Sequence, residues 1–122
     1  MSPKAVVSSA EMQDYILTAQ RREHRRQAHL QQRRSRGLAA AKQAAEQLKQ
    51  LGATRVVLFG SLLNDNFDER SDLDLAVWGL PEPLYFRAVA QLQGIEGFEV
   101  DLVEAQTAVP HIAAAIAGGV EL

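Results

Sequence analysis

The chain contains no cysteine at all among its 122 residues. A disulfide framework and a thiolate zinc site are therefore both excluded, and a reducing compartment is the natural setting. Long apolar runs are missing too. Near the amino terminus only Ala5, Val6 and Val7 stand together, and nowhere do about eighteen uncharged apolar residues occur in succession, as a membrane-spanning helix needs. These absences predict a soluble, cytoplasmic protein. Charged residues make up 23% and hydrophobic residues 47%; those are globular values, which exclude wholesale disorder and a coiled coil alone. The length suits one domain with an appendage rather than two full domains.

Charge of each sign is scarce in one half of the chain. Residues 1–50 hold ten basic and four acidic residues, whereas residues 51–122 hold three basic and eleven acidic ones. A carboxylate-rich half that is apolar enough to fold must neutralise its charges, and divalent cations are one means. The sequence accordingly divides into a helical, arginine-rich extension over 1–51 and a folded unit over 52–122.

Ser8 followed by Glu11 is a capping-box pattern, and no proline interrupts the chain from there to Leu51. Leu38, Ala41, Ala45, Leu48 and Leu51 recur at helical spacing before Gly52, so this segment is expected to pack on the domain. Met12, Ile16, Ala19 and Leu30 continue an apolar band with interruptions, which predicts partial exposure, with a break near Gly37. On a helical wheel Arg22, Arg26, His29, Arg33 and Arg36 fall within an arc of about 80°, with Arg25 beside it. Like charges four apart cost an isolated helix roughly 0.2–0.5 kcal/mol per pair, and an acidic partner would relieve that cost. Arg22, Arg26, Arg33 and Arg36 are therefore candidate partner-binding residues; the alternative is a simple solvated face. RNA fits less well, because no aromatic residue lies between Arg21 and Arg36 to stack on bases. The same helix could join two copies of the chain.

Thr54 to Phe59 is a β-branched, aromatic run stopped by Gly60, which reads as a buried strand. From Asp72 to Trp78 the pattern alternates, placing Asp72, Asp74 and Ala76 on one face and Leu73, Leu75 and Val77 on the other. Pro81 and Pro83 open a helix to about Gln93, Phe98 to Val103 reads as a further strand with Asp101 on its exposed face, and Pro110 to Ala117 as a last helix before a short edge strand, Val120 to Leu122. Trp78, Tyr85 and Phe86 read as core or its rim, and His111 as a surface residue. If the strand bearing Asp101 neighbours the one bearing Asp72 and Asp74, three carboxylates share a sheet face, with Glu99 nearby. Unit charges about 4 Å apart repel by roughly 4 kcal/mol at an effective dielectric near 20, so such a cluster needs cations or shifted protonation. Magnesium suits an all-oxygen site, and two such ions could activate an attacking oxygen and neutralise leaving phosphates. Gly60 and Ser61, at the end of the first strand, would let backbone amides approach a triphosphate.

The ordered set of a strand, Gly60-Ser61, ten residues, Asp72-x-Asp74 and then Asp101 in a further strand resembles the signature of the minimal nucleotidyltransferases within the DNA polymerase β-like superfamily. L-F-G-S, S-D-L-D-L-A-V, V-D-L-V around Asp101 and the closing stretch from Ile116 carry the likeness, which spans about residues 50–122. It implies an α+β nucleotidyltransferase fold, a small mixed sheet with helices on one face, preceded by the long helical arm. It further implies that Asp72, Asp74 and Asp101 are the catalytic and magnesium-binding residues, that Gly60, Ser61 and Ser71 bind the nucleotide, and that ATP is the substrate. Asn64 and Asp65 depart from the arginine and glycine common at these positions in the family, which removes a phosphate-contacting cation; Arg70 could replace it, though a solvated loop arginine is the plainer reading. Short free-standing members resemble the antitoxin of HEPN/MNT toxin-antitoxin pairs, which implies transfer of AMP to a tyrosine of a partner HEPN ribonuclease. The alternatives are a catalytically weak module that neutralises a partner by occlusion, and a small-molecule nucleotidyltransferase.

Overall fold

The computed structural model describes residues 8–65 and 67–122. A single helix, α1, runs from Ser9 to Gln50. At its start Ser8 is extended and its Oγ accepts the Glu11 N–H at 3.1 Å, which satisfies one of the free donors of the first turn. Its end is closed by Leu51, Gly52 and Ala53, whose amides donate back to the last carbonyls, with Gly52 at φ 116° where a side chain would be strained.

The expected break near Gly37 is absent, because α1 is continuous there. Gly37 is buried, and a Cβ at that position would stand 2.9 Å from Leu62 Cδ1 and 3.3 Å from Phe98 Cζ. Its missing side chain lets the helix pass close to the body. The packed face of α1 is a stripe of small residues, Gly37, Ala40, Ala41, Ala44 and Ala45, ending at Leu48. Leu38, expected in that band, is instead 36% exposed, since the stripe is phased one residue earlier than the leucine spacing suggests. From Ser9 to His29 every residue is exposed, Met12 and Ile16 included, and Leu30 is where the helix rejoins the core.

The sheet has the order β3-β2-β1-β4, with β1 at Arg55–Phe59, β2 at Leu73–Trp78, β3 at Val100–Glu104 and β4 at Val120–Glu121. β1 runs antiparallel to β2 and β4, while β2 and β3 are parallel. This is the small mixed sheet of an α+β fold that the sequence resemblance implies. On one face Val56, Leu58, Leu73, Leu75, Val77, Val100 and Leu102 pack under α1 and under α2, Tyr85–Leu92. On the other, Val57, Phe59 and Ala76 meet Ile116 of α3, Pro110–Ala117. In this detail the arrangement differs from helices on one face: α3 covers part of the opposite side, which is why β1 is apolar at four successive positions instead of alternating. Among the described residues no helix is long and apolar enough to cross a membrane.

The open edge of β3 is closed by side chains. Tyr85 donates from its hydroxyl to the Leu102 carbonyl at 2.6 Å, and Gln93 both donates to the Val100 carbonyl at 2.9 Å and accepts the Val100 N–H at 3.3 Å. Such pairing keeps another strand from adding there.

Candidate active site

The site lies where β1 ends and β2 begins. Strand register sets Phe59 opposite Asp74, so Gly60 follows directly beside the Asp74 carboxylate. Gly60 adopts φ 88°, and a Cβ built on it would collide with Asp74 Oδ2. Glycine is thus required twice, once for the backbone angle and once for the space the carboxylate occupies. Ser61 then opens a single turn of 3-10 helix, Ser61–Leu63.

Alternation along β2 places Asp74 and Ala76 on the α3 side of the sheet, Asp72 precedes the strand by one residue in the same phase, and the parallel register sets Asp101 directly beside Asp74 on β3. The three carboxylates therefore share one face, as the spacing predicts. Asp72 and Asp74 are half-buried and Asp101 is exposed. Burial pushes the Asp74 carboxyl up to about 6, and the neighbouring charges of Asp101 and then Asp72 add to the shift. Among the described residues the side-chain ion pairs are Arg26 with Glu23 and Arg55 with Glu121, so no basic side chain compensates this cluster. An uncompensated, all-oxygen donor set fits a hard divalent cation such as magnesium. Among the described residues, however, no three acidic or imidazole side chains already stand close enough to grip an ion together.

The structure brings Gly60, Ser61, Asp72, Asp74 and Asp101 to one region and gives the other predicted residues separate surroundings. The Ser71 hydroxyl accepts the Asp68 N–H at 2.9 Å and so closes its own loop, in which Asp68 Oδ1 also accepts the Arg70 N–H at 2.7 Å. Arg22 and Arg36 lie exposed on α1, and Arg26 pairs with Glu23 at 2.8 Å. Arg33 is turned onto the body, over the Phe98 ring.

Tyr85 was legible only as part of the core. It is half-buried, and its phenol is pushed up by burial and by the Glu104 and Asp101 carboxylates, which puts it within electrostatic reach of the site. Phe86, expected in the core or at its rim, is 81% exposed and meets Tyr85 edge to face. Both line a cleft of about 540 Å³ between α2 and α3, along with Val103, Glu104 and Val109. The signal for this cleft lay in the pairing of two adjacent aromatics, of which a helix buries one and exposes the next.

Comparison with known proteins bears on the family and the fold. A family profile described as polymerase beta, nucleotidyltransferase, matches residues 42–122. A solved structure described as that of a candidate minimal nucleotidyltransferase is similar at 28% identity with a TM-score of 0.55, over 75% of this chain and 92% of that one. No functionally curated protein matches at significance. With the profile spanning most of the chain and the solved structure sharing its fold, the chain belongs to the polymerase beta nucleotidyltransferase family.

Proposed function

We propose that the protein is a magnesium-dependent nucleotidyltransferase that moves AMP from ATP to a hydroxyl, and that the acceptor is a tyrosine of a partner HEPN ribonuclease, the transfer acting as an antitoxin. The observation that supports this best is the Asp74 carboxylate pressed against Gly60, beside Asp101 and, among the described residues, without an ion-pair partner. A cation would be held by Asp72 and Asp74 with Asp101 alongside; when bound, magnesium supplies charge neutralisation for the phosphates and the carboxylates alike. Gly60 leaves room for a phosphate to approach the backbone of the Ser61 turn. Asp101, the most exposed of the three, is placed to take the acceptor's proton as the hydroxyl oxygen bonds to the α-phosphorus and pyrophosphate departs with the electrons of the broken bond. The cleft lined by Tyr85 and Glu104 is the natural seat for the acceptor, since the Asp101 charge reaches the Tyr85 phenol that lines it.

The test is incubation of the chain, the purified partner ribonuclease and ATP labelled at the α-phosphate, with and without magnesium. Label on the partner that requires magnesium and disappears in Asp74→Asn is expected; no label with the active-site residues intact overturns the transfer reading.

A second reading, neutralisation of a partner by physical occlusion, is favoured by the arm of α1, which is exposed from Ser9 to His29 and carries Arg22 and Arg26, with Arg36 exposed further along the same helix. Substituting these three arginines with glutamine separates the two. Loss of partner binding with label transfer to a small hydroxyl acceptor retained would assign docking to the arm and chemistry to the sheet.

A further inference from the structure

Arg33 and Arg34 sit where the free arm of α1 meets the body, and neither behaves as a solvated surface residue. Arg33 Nη2 donates to the Ser71 carbonyl at 3.3 Å, and its guanidinium lies 4.2 Å from the centre of the Phe98 ring. Arg34 Nη2 donates to the Asn64 carbonyl at 2.9 Å, with its guanidinium 5.1 Å from the centre of the Phe67 ring. Both rings are anchored, Phe98 being 1% and Phe67 4% exposed. Nε of each arginine is enclosed without a hydrogen-bond partner. A guanidinium on a merely solvated face would turn that donor to water; here it is withdrawn in exchange for the stack and the carbonyl. Successive helical residues point about 100° apart, so two adjacent arginines can reach two separate points. Those points are the two ends of the loop that joins the Gly60-Ser61 turn to the strand of Asp72 and Asp74. One turn further along α1, Gly37 admits Leu62 from the start of the same segment.

We propose that Arg33 and Arg34 are positioning residues, a clamp from α1 that holds Asn64 and Ser71 at their places between Ser61 on one side and Asp72 on the other. The inference rests on the reading of those residues as nucleotide and metal groups, but the clamp itself is measurable without nucleotide.

The experiment compares the full chain with Arg33→Gln/Arg34→Gln and with Arg33→Lys/Arg34→Lys by amide hydrogen exchange, and by affinity for a non-hydrolysable ATP analogue with magnesium. In the glutamine variant, amides of 64–65 and 67–71 are expected to exchange about tenfold faster while those of β1 and β3 keep wild-type rates, and analogue affinity is expected to fall about three- to tenfold. The lysine variant should resemble the glutamine one, because an ammonium keeps the charge and loses the planar stack and fork. Unchanged exchange in the loop overturns the clamp. So does full recovery of affinity by lysine without recovery of loop protection, which would make the arginines a remote charge only. A wild-type chain that binds no analogue, with the loop still loosened in the variants, supports the clamp and overturns the nucleotide reading instead. Arg34→Gln alone gives the same comparison where a double variant does not fold.

Discussion

A carboxyl held near pH 6 on a sheet face makes Asp74 a source of instability in the folded protein at neutral pH. Its folded value of about 6 lies above its ordinary 3.8, so between those values the folded state binds more protons than the unfolded one. Stability is therefore full below about pH 4 and declines as pH rises through 6. Asp74→Asn, which removes the charge and keeps the shape, should raise the melting temperature at pH 7.5, and the gain should vanish below about pH 4. Thermal melts across pH 3.5–8 check the sign; a gain that persists at pH 3.5 would place its cause outside ionisation. Gly60→Ala should act the other way. It forces an alanine to φ 88° and into the Asp74 carboxylate, at a cost of about 1–3 kcal/mol for the strained backbone alone, and it should displace Asp74 even where the fold survives. Denaturant unfolding measures the first effect, and magnesium-dependent transfer the second. At this scale the motif was legible because strand alternation alone aligns Asp72 with Asp74, while the wedge of Asp74 against Gly60 was not, since it depends on which strand residue lies opposite Phe59.

Helix α1 works as two elements with no break between them. Its last turns form the lid of the core through a stripe of glycine and alanine, whereas its first twenty residues are exposed throughout. Gly37→Leu should therefore destabilise by about 1–3 kcal/mol, the usual cost of overpacking, because even a Cβ at residue 37 meets Leu62 at 2.9 Å. Removing residues 1–28 should leave the melting temperature within a few degrees, because among the described residues Leu30 is the first of α1 to pack on the core. A large loss on truncation would mean that the arm packs against something in solution. Sequence spacing reported the helix and its cap correctly and misjudged Gly37, because glycine marks a break or a close approach with the same letter, and only a neighbour such as Leu62 distinguishes them. The placement of α3 was hidden for a similar reason: Pro110 to Ala117 announces a helix and is silent on which sheet face it covers.

The molecule as a whole separates its charge, with a basic first half and an acidic second half that carries the candidate site. An acidic body repels a bare triphosphate, and among the described residues no arginine or lysine forms an ion pair with the three aspartates. Nucleotide should therefore bind only together with a divalent cation. A ligand that binds the folded state alone stabilises it by about 2.7 kcal/mol at a hundredfold excess over its Kd, so the melting temperature at pH 7.5 should rise clearly with magnesium and a non-hydrolysable ATP analogue added together, and hardly at all with the analogue in EDTA. Asp101→Ala should shrink the shift, and Asp74→Asn should remove most of it in spite of its higher starting stability. The pH dependence gives a further check on the same equilibrium. Cation binding favours ionised Asp74 and so lowers its pKa from about 6, which means that binding expels a proton wherever the free protein holds one. Below pH 6 the stabilisation should therefore weaken as pH falls, and titration calorimetry near pH 5.5 in two buffers of different ionisation enthalpy should register release of a fraction of a proton per nucleotide bound. Proton uptake, or an equal shift at pH 5 and pH 7.5, would place the cation away from Asp74.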